Sequence, residues 1–455
     1  MAPKKAHFIG IGGVGMSAVA KLLKDSGAVV TGSDSHVYPP ISNMLEENGL
    51  IYHSTYSAQN IPADADVIVI GKSATLRPET NTEVAGAIAS GKKILSFPDV
   101  LAELSANKET IVLAGSYGKS TCAALLAHCL EHAGKDPSYF IGASPITPSS
   151  SARMGKGSLF VMEGDEYPTS NTDSRAKFLL MHPQHVLVTP LAHDHLNVFA
   201  TPTDYLKPFY ELAKLPQTMV VCSDGPLSKE FIVNIPQCTT YSFGDAKNIV
   251  WGETTTFEYN GIQLQTTLLG EHNIQNIIGV AALVFKLNLL MPEEFAAGVA
   301  TFKGVRRRLD KKSDATSILV YEGFGSSYEK LQSAIAAMKL HFPTRPLRVI
   351  FEPHTFSWRN RESLPWYDTA FAGAEKVYVY EPPQDGKDMQ LSLEEITTRI
   401  NAAGITAKGA HAAEELLELL KDDLQKDDCI LLSSSGAMGG LVESVPALAE
   451  QLFPA

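Results

Sequence analysis

A glycine-rich loop at 115–121 constrains the fold of this chain more than any other feature of the sequence. The apolar run Thr110–Ala114 predicts a buried strand, the letters GSYGKST follow it, and Cys122–His132 has the composition of a helix. A strand, a glycine-rich loop and a helix in this order are typical of a phosphate-binding loop, in which backbone N–H groups surround the phosphates. In such a loop Lys119 would neutralise charge on a transferred phosphoryl group, and Ser120 would reach Mg²⁺.

The match to the phosphate-loop pattern is incomplete, because Leu113 stands where the full pattern has its first glycine. A chance occurrence of Gly-Lys-Ser is therefore the alternative, although the flanking strand and helix argue against it. The candidate ATP-binding residues of this segment are Gly115, Ser116, Gly118, Lys119, Ser120 and Thr121.

A second glycine-rich turn begins at Gly10, after an apolar run that predicts the first strand. Its sequence, GIGGVGM, allows the backbone to approach a pyrophosphate at the N-terminus of the following helix. Asp34 ends the second predicted strand, where an acidic residue holds the ribose of the cofactor in nicotinamide-dependent dehydrogenases. A tight turn without a ligand is one alternative, and a nicotinamide oxidoreductase is another.

Short apolar runs alternate with amphipathic stretches over the whole chain, which predicts an α/β fold. At roughly 150 residues per domain, the 455 residues suggest about three domains. Alternating residues around Val250–Leu269 predict a small antiparallel patch, and the polar stretches Ser105–Glu109 and Asp310–Thr316 are the predicted hinges. We predict an N-terminal Rossmann-like domain at 1–108, a central P-loop α/β domain with the antiparallel patch at 109–312, and a C-terminal Rossmann-like domain at 313–455.

Apolar runs of three to six residues give the positions of the strands, and those of the third domain predict another open parallel sheet. A capping box from Ser392 to Glu395 predicts the start of a helix. The predicted strands are His7–Ile11, Ala28–Thr31, Val67–Ile70, Ile94–Ser96, Thr110–Ala114, Ser158–Met162, Val186–Thr189, Thr218–Cys222, Ser317–Tyr321, Leu347–Phe351, Lys376–Tyr380 and Asp428–Ser433.

The composition excludes several functional classes. With 50 acidic and 38 basic residues, the formal charge of −12 would repel nucleic acid backbones and anionic lipid surfaces. The five cysteines include no Cys-x-x-Cys pair, so neither a disulfide framework nor a zinc site is indicated. The sequence shows no signal peptide and no apolar run of membrane-spanning length. We therefore expect a cytoplasmic protein without nucleic acid partners or membrane insertion.

Acidic and histidine side chains follow two predicted strands. Glu163 comes after Ser158–Met162 and begins the segment EGDEY. Mg²⁺ prefers hard oxygen ligands, and the carboxyl end of a strand is where an α/β sheet presents ligands, so Glu163 is the preferred metal ligand. His195, in the loop sequence HDH, is a candidate ligand for another metal ion. A solvated loop with incidental histidines is the alternative.

The segment GEHNIQN at 270–276 opens a predicted helix. Side-chain amides and an imidazole at a helix start can recognise an adenine ring, and ordinary capping by Asn273 is the alternative. The basic run Arg306–Arg308 precedes the second predicted hinge. It is either a solvated helix end or a clamp on phosphate.

The order of these motifs resembles that of the Mur ligases of peptidoglycan synthesis, and the resemblance covers essentially the whole chain. In that family the N-terminal domain binds UDP, the central domain binds ATP and magnesium, and the C-terminal domain brings the incoming amino acid or peptide. The resemblance implies an ATP-dependent ligase that forms an amide bond through an acyl phosphate.

The same resemblance implies roles for individual residues. Lys119, Glu163 and His195 would be catalytic, and Ser120, Glu163 and His195 would bind metal. The ATP site would gain His272, Asn273, Asn276 and Arg307. The residues that would face the UDP-sugar are Gly10, Gly12, Gly13, Val14, Gly15, Met16, Ser33, Asp34 and Ser73.

Within the family, three segments resemble murein peptide ligase: GSDSHVYPPIS at 32–42, DSRAKF at 173–178 and SSGAMGG at 434–440. That branch joins the tripeptide L-alanyl-γ-D-glutamyl-meso-diaminopimelate to UDP-N-acetylmuramate in peptidoglycan recycling. The resemblance thus implies UDP-N-acetylmuramate and a peptide or amino acid as partners, and a monomer or homodimer. The alternatives are the ligase that adds L-alanine in de novo synthesis and a catalytically impaired nucleotide-binding protein.

The C-terminal part departs from the family pattern. At 322–327 the letters EGFGSS stand where these ligases usually have an Asp-Asp-x-x-His-His-like sequence, and the carboxylate expected at Gly323 is missing. Glu322 is a candidate substitute from one position earlier. His354 and Arg359 are the candidate residues for the amine substrate, and His354 is a candidate general base.

Further departures surround His195. Pro190, Ala192 and Asn197 replace polar or acidic residues of the family pattern. Together with the segment 322–327, they predict altered or reduced activity.

Overall fold

Four β-sheets, of five, seven, three and six strands, organise the part of the chain that the computed structural model describes. This part comprises residues 3–39, 41–195, 198–235, 237–383 and 390–455, so Asn197 lies outside it. The predicted α/β class is confirmed. The chain divides into two compact units, the first with Met1–Lys247, Glu258–Leu264 and Ile274–Phe302 and the second with Asn248–Phe257, Gln265–Asn273 and Lys303–Ala455.

The N-terminal sheet is parallel throughout and has the Rossmann-like strand order 3-2-1-4-5. Its strands are β1 (Lys5–Ile9), β2 (Val29–Ser33), β3 (Ile51–His53), β4 (Val67–Ile70) and β5 (Lys93–Leu95), and its helices are α1 (Val14–Asp25), α2 (Ile41–Glu47), α3 (Thr82–Ala89) and α4 (Phe97–Ser105). The strand order reverses between β1 and β4. The turns after these two strands therefore border the crevice where open α/β sheets bind ligands.

The central sheet has the order 12-11-10-6-9-7-8, and all its pairs are parallel except β7 with β8. Its strands are β6 (Glu109–Ala114), β7 (Ser138–Phe140), β8 (Ala152–Arg153), β9 (Leu159–Glu163), β10 (His185–Val188), β11 (Thr218–Cys222) and β12 (Thr239–Tyr241), and its helices are α5 (Lys119–His132), α6 (Pro202–Leu212) and α7 (Ser228–Val233). Because β10, β6 and β9 are neighbours, their carboxyl ends bring the phosphate loop, Glu163 and the loop towards His195 to one edge.

The predicted antiparallel patch forms a small three-stranded sheet, β13 (Lys247–Val250), β14 (Thr255–Tyr259) and β15 (Ile262–Thr266). Asn260 and Gly261, both with positive φ, connect the last two strands, as expected of an Asn-Gly hairpin turn. Two helices follow, α8 (Glu271–Lys286) and α9 (Pro292–Thr301).

The C-terminal sheet has six strands in the order 16-17-21-18-19-20. They are β16 (Arg308–Lys311), β17 (Leu319–Gly323), β18 (Leu347–Phe351), β19 (Lys376–Tyr380), β20 (Thr406–Ala410) and β21 (Cys429–Ser433), with helices α10 (Tyr328–His341), α11 (Phe356–Arg359), α12 (Leu393–Ala402), α13 (Ala413–Asp423) and α14 (Leu441–Leu452). The four predicted strands pair in parallel, and the sheet has in addition one antiparallel edge strand, because β16 pairs antiparallel with β17. A short connection permits this reversal, whereas a parallel pair needs a long crossover.

Strand β16 also bears on the predicted division at 312/313. It lies before that division and pairs with a strand after it, and the predicted hinge Asp310–Thr316 begins inside it. The three domain ranges stay a prediction.

The predicted strands agree with the observed ones to within about two residues at either end. Six strands were not predicted from the sequence, because they are short or polar and lack the apolar runs that mark the other strands: β3, β7, β8, β12, β16 and β20. The capping box of Ser392 and Glu395 is present at the start of α12. Helix α5 begins at Lys119 rather than at Cys122, directly after Gly118 in the left-handed conformation.

All five cysteines are free, and Cys238 is the one that is only partly buried. Burial raises the pKa of Cys222 to about 11 and that of Cys429 to about 12, so both remain thiols at neutral pH. No helix in the described ranges combines the length and the apolar character needed to cross a membrane.

Candidate active site

The phosphate loop depends on its glycines at two positions. Gly115 has φ +124° and Gly118 has φ +91°, a region that other residues rarely adopt. A Cβ atom at Gly115 would collide with Thr189, and one at Gly118 would collide with the amide of Asn276. The loop therefore packs its bare backbone against β10 and α8, and its N–H groups stay at the start of α5, where phosphate binds favourably.

Lys119 is held within the protein by two oxygen acceptors. Its ammonium donates to the carbonyl oxygen of Gly115, and it forms an ion pair with Glu166, with Nζ 3.1 Å from Oε2. Glu166 is only 1% exposed. The lysine is thus placed at the loop, and a triphosphate would have to draw it from Glu166.

Glu166 also holds His195. Its Oε1 lies 3.2 Å from Nε2 of His195 and accepts a hydrogen bond of 3.3 Å from the hydroxyl of Tyr205. The other imidazole nitrogen, Nδ1, lies 2.9 Å from the hydroxyl of Tyr167. The hydrogen bond to Glu166 raises the pKa of His195 above its ordinary value. The network places the predicted residues Lys119 and His195 on one buried carboxylate.

The predicted metal ligands Ser120 and Glu163 are neighbours. The hydroxyl of Ser120 donates to Oε1 of Glu163 at 2.8 Å, and Oε2 accepts from the N–H of Gly142 at 2.6 Å. A hydroxyl and a carboxylate beside a phosphate loop fit Mg²⁺, which takes few protein oxygens and completes its octahedron with phosphate and water.

His195 does not join Ser120 and Glu163. Both of its ring nitrogens have protein partners, so a metal would have to replace one of them. Within the described ranges, no group of three or more His, Cys, Asp and Glu side chains is arranged to hold a metal ion. The geometry thus favours Ser120 and Glu163 over His195 as metal ligands.

The residues at 190 and 192 contact the phosphate loop through main-chain atoms. The N–H of Ser116 donates to the carbonyl of Pro190 at 3.0 Å, and its hydroxyl donates to the carbonyl of Ala192 at 2.8 Å. The N–H of Ala192 in turn donates to the Ser116 hydroxyl at 2.8 Å. These bonds are independent of the side chains at 190 and 192, so the departures there leave the loop supported.

The N-terminal glycine turn is fastened by the aspartate that follows β2. Gly10 has φ +86°, and the N–H of Gly12 donates to Oδ2 of Asp34 at 2.8 Å. The hydroxyl of Tyr56 donates to the other oxygen of Asp34 at 3.1 Å. Gly13 precedes the first residue of α1. Asp34 therefore lies beside the turn and also stabilises it through this hydrogen bond to Gly12.

The other predicted UDP-sugar residues differ in accessibility. Val14 is half exposed, whereas Met16 is buried in the core, and Gly15 packs beside Phe97. Ser33 is fully buried and donates to Glu83, so its hydroxyl faces the interior. Ser73, after β4, is exposed and its hydroxyl lies 3.0 Å from that of Thr75.

The predicted adenine-binding segment lies in the first turns of α8. Because this helix begins at Glu271, Asn273 does not precede it as a cap, and its side chain donates to the carbonyl of Leu269 at 2.8 Å. His272 is exposed. Asn276, five residues after the first residue of the helix, is buried and accepts from Cys122 Sγ at 3.5 Å with its side-chain oxygen.

In the second unit, Arg307 and Glu322 form a charged cluster. Arg307 has φ +63° and donates to the carbonyls of Ser434 and Gly436 at 3.0 and 2.9 Å. Its guanidinium also lies 3.3 Å from Oε1 of Glu322, whose Oε2 lies 2.9 Å from the ammonium of Lys312. Both oxygens of Glu322, the candidate substitute carboxylate, are therefore already paired.

His354 and Arg359 lie at different depths. His354 follows β18, and its Nδ1 lies 3.3 Å from the hydroxyl of Ser435. Arg359 is 7% exposed and donates to the carbonyl of Pro383 at 2.9 Å. His354 thus stands at the carboxyl edge of the C-terminal sheet, where a ligand has access. Arg359 is part of the domain interior.

Glu166, Tyr167 and Lys177 lie in segments that the sequence analysis quotes, but no role was predicted for them. Tyr205 and Lys72 were not singled out by any sequence pattern. The acidic segment after β9 was the available signal for Glu166. The others come from separate elements, and their proximity depends on the tertiary fold.

Known proteins resemble this chain over most of its length. The Mur ligase family, catalytic domain, matches residues 5–109, and the Mur ligase middle domain matches residues 113–284. A UDP-N-acetylmuramate–L-alanine ligase of Chlorobium phaeovibrioides is 30% identical over 394 residues, which cover 83% of this chain and 81% of that protein.

Two solved structures extend the comparison. UDP-N-acetylmuramate-alanine ligase from Thermotoga maritima has a TM-score of 0.78 at 23% identity, covering 98% of this chain and 99% of the other. The UDP-N-acetylmuramate:L-alanyl-γ-D-glutamyl-meso-diaminopimelate ligase from Neisseria meningitides has a TM-score of 0.61 at 28% identity, covering 67% of this chain and all of the other. The first of these shows the shared fold.

The specific likeness to murein peptide ligase is not confirmed, because the matched sequence relatives described above and below carry the L-alanine ligase name. The family prediction, by contrast, is confirmed, and it displaces the nicotinamide oxidoreductase alternative. The chain belongs to the Mur ligase family and is an ATP-dependent ligase that forms amide bonds in peptidoglycan synthesis.

Proposed function

We propose that this ligase joins L-alanine to the carboxylate of UDP-N-acetylmuramate. The observation that carries the chemistry is the joint placement of Lys119, Ser120 and Glu163 at the phosphate loop. The choice of L-alanine rests on the relatives that bear the L-alanine ligase name, one of which aligns over 95% of this chain and 95% of its own length at 27% identity.

The tripeptide L-alanyl-γ-D-glutamyl-meso-diaminopimelate is the second candidate amine substrate. A solved ligase named for this tripeptide is 28% identical over 67% of the chain, and the segments quoted for that branch support it. The comparisons favour L-alanine over the tripeptide prediction, because the matched L-alanine ligases align over a larger share of the chain.

The reaction we propose has two steps. The muramyl carboxylate attacks the γ-phosphate of ATP and forms an acyl phosphate with release of ADP, and the amine of L-alanine then displaces phosphate to form the amide. The N–H groups of the loop 115–121 bind the phosphates, and Lys119 moves from Glu166 to the transferred phosphoryl group. Glu166 remains paired with His195 and keeps that imidazole in place.

Ser120 and Glu163 are the residues that would hold Mg²⁺. The ion would supply positive charge to the phosphate oxygens. His195 acts beside this pair through its hydrogen bonds to Glu166 and Tyr167, which fix the orientation of its ring.

The remaining roles follow the family. The domain 1–108 would bind the UDP part at the turn Gly10–Met16, the domain 109–312 would bind ATP, and the domain 313–455 would bind the amine near His354. Asn273, Asn276, His272 and Arg307 complete the proposed ATP site. We propose a cytoplasmic enzyme that is a monomer or a homodimer.

The test is an incubation of the purified protein with ATP, Mg²⁺ and UDP-N-acetylmuramate, together with either L-alanine or the tripeptide. We expect ADP, phosphate and the UDP-N-acetylmuramoyl-L-alanine product with L-alanine. Product formation with the tripeptide alone would replace our substrate assignment by the second candidate. Binding of ATP without product from either amine would support the catalytically impaired alternative.

A further inference from the structure

The loop after β9 is attached to the end of β4 in the first unit. The side-chain amide of Asn171 donates to the carbonyls of Ser73 and Leu76 at 2.9 and 3.1 Å. The ammonium of Lys72 donates to the carbonyl of Pro168 at 3.3 Å. Because Lys72 follows β4, it stands at the crevice where the order of the N-terminal sheet reverses.

Two lysines from different elements approach one aromatic ring in this region. The ammonium groups of Lys72 and Lys177 lie 5.7 and 5.6 Å from the ring centroid of Tyr167. The hydroxyl of the same tyrosine lies 2.9 Å from His195, which is paired with Glu166. Tyr167 therefore connects the two lysines to the side chains that hold Lys119 at the phosphate loop.

The charges of Lys72, Lys177 and Asp165 do not cancel. Lys177 forms an ion pair of 2.5 Å with Asp165, whereas Lys72 has no carboxylate within ion-pair distance among the described residues. Partial burial, and then the charge of Lys177, lower the pKa of Lys72. Because only Lys177 is paired with a carboxylate, the positive charge of Lys72 is not neutralised, which favours the binding of an anion.

We propose that Lys72, with Lys177 beside it on the ring of Tyr167, binds the reacting carboxylate of the sugar nucleotide and selects nucleotides that carry this group. The inference rests on the proposed function and names a specificity residue for it. The pyrophosphate is a less suitable occupant, because the glycine turn after β1 already offers a helix N-terminus to it. A carboxylate at Lys72 would lie next to the network that ends at Lys119, as phosphoryl transfer requires.

The test compares two nucleotides that differ at this group. UDP-N-acetylglucosamine has the same UDP and amino sugar but lacks the lactyl carboxylate of UDP-N-acetylmuramate. Affinities for both are measured calorimetrically without ATP, on the wild type and on Lys72→Met. We expect Lys72→Met to weaken binding of UDP-N-acetylmuramate by about ten-fold and binding of UDP-N-acetylglucosamine by less than about two-fold.

Two further variants make the test specific. Lys72→Arg retains the positive charge and should preserve most of the discrimination between the nucleotides. Lys92→Met is the matched control, because Lys92 also donates to main-chain carbonyls, those of Ala63 and Ala65. Lys92 directly precedes β5 and so lies at the amino end of the strands, away from Lys72 at the carboxyl end. This variant should bind both nucleotides as the wild type does.

The outcomes separate this inference from the proposed function. Equal weakening of both nucleotides in Lys72→Met would assign the lysine to the pyrophosphate and overturn the inference, and so would unchanged affinities. In either case a wild type that turns over UDP-N-acetylmuramate with L-alanine leaves the proposed function intact. A wild type that neither binds nor converts UDP-N-acetylmuramate would overturn both.

Discussion

Glu166 in the first unit and Glu322 in the second are both buried glutamates that bridge two basic side chains. Glu166 holds Lys119 and His195, and Glu322 holds Arg307 and Lys312. The difference lies in the partners. Those of Glu166 belong to the phosphate loop and to the loop after β10, whereas those of Glu322 lie directly before and directly after the edge strand β16. A similar ion-pair pattern therefore lies at the proposed phosphate site in one region and at a strand edge in the other.

The segment around Glu322 shows how a departure from the family pattern is accommodated. A Cβ atom at Gly323 would meet Leu431, Leu309 and Ala334, all apolar, so the position expected to carry a carboxylate faces a hydrophobic environment. Ser327, where the family has a histidine, caps α10 by accepting from the N–H of Lys330. At these two positions the segment contributes to packing and to a helix cap.

Loss of the lysine at the phosphate loop should have the largest effect. Lys119→Ala removes the positive charge next to the transferred phosphoryl group. We expect kcat/KM to fall about 10²–10³-fold, which corresponds to a loss of roughly 3–4 kcal/mol of transition-state stabilisation. Lys135→Ala is the control, because Lys135 is exposed beyond the other end of α5. Steady-state ADP release measures both variants. Near-normal turnover of Lys119→Ala would refute the assignment of the loop.

Restoring the family carboxylate at position 323 should damage the protein. Gly323→Asp would bury a carboxylate among apolar side chains without a partner, and we expect a loss of about 3 kcal/mol in the free energy of unfolding. Gly323→Ala, whose methyl group meets Leu431 at 3.3 Å, separates crowding from charge and should cost less than about 1 kcal/mol. Denaturant unfolding measures both. A stable and more active Gly323→Asp would mean that the segment is an impaired catalytic site.

The two bridging glutamates can be compared directly by neutralising each. Glu322→Gln leaves Arg307 and Lys312 without their carboxylate, and we expect a loss of about 2 kcal/mol in unfolding free energy, moderated by the partial exposure of Arg307. Glu166→Gln removes the anion that competes with a triphosphate for Lys119. It should therefore bind ATP more tightly, by about three-fold, and turn over more slowly.

Calorimetric titration with ATP and denaturant unfolding of both variants measure this contrast. If Glu322→Gln changed ATP affinity as much as Glu166→Gln, Glu166 could not be assigned to the ATP site and Glu322 to the stability of the strand edge.

The sequence predicted those parts of the fold and site that local patterns encode. Apolar runs located β1, β4 and β18, and the loop 115–121 predicted a phosphate site because its glycines, lysine and serine are adjacent in the chain. Strand β16 was missed because its letters RLDK are polar and its pairing with β17 is tertiary.

Contacts between distant segments explain the rest. Nothing local indicates that Glu166 meets Lys119, 47 positions earlier, or that Tyr167 meets Lys72. Glu322 matched the family motif closely enough to suggest a substitute carboxylate, and only the positions of Arg307 and Lys312 show that it is engaged. Ion-pair partners of this kind depend on which loops the sheets bring together.

The smallest effect concerns the pH dependence of stability. Two aspartates of the C-terminal unit should contribute to the free energy of unfolding with opposite dependence on pH. Burial, and the charge of Glu322, raise the pKa of Asp310. In Asp423, hydrogen bonds from Lys376 and Lys408 outweigh a burial effect of opposite sign and lower the pKa. Unfolded aspartates titrate near about 3.9.

The signs follow from linkage. Because the folded pKa of Asp310 is raised, its contribution to stability is full below about pH 3.9 and is lost as pH rises through the folded value. The advantage of the wild type over Asp310→Asn should therefore shrink as pH rises above about 3.9. The contribution of Asp423 is full above about pH 3.9 and is lost as pH falls through its lowered pKa, so the advantage over Asp423→Asn should shrink on acidification. Thermal unfolding of the three proteins across pH 3 to 7 measures both differences in unfolding free energy. The two differences should change with pH in opposite directions, each by less than about 1 kcal/mol. A change in the same direction for both would show that the folded protein does not raise the pKa of Asp310.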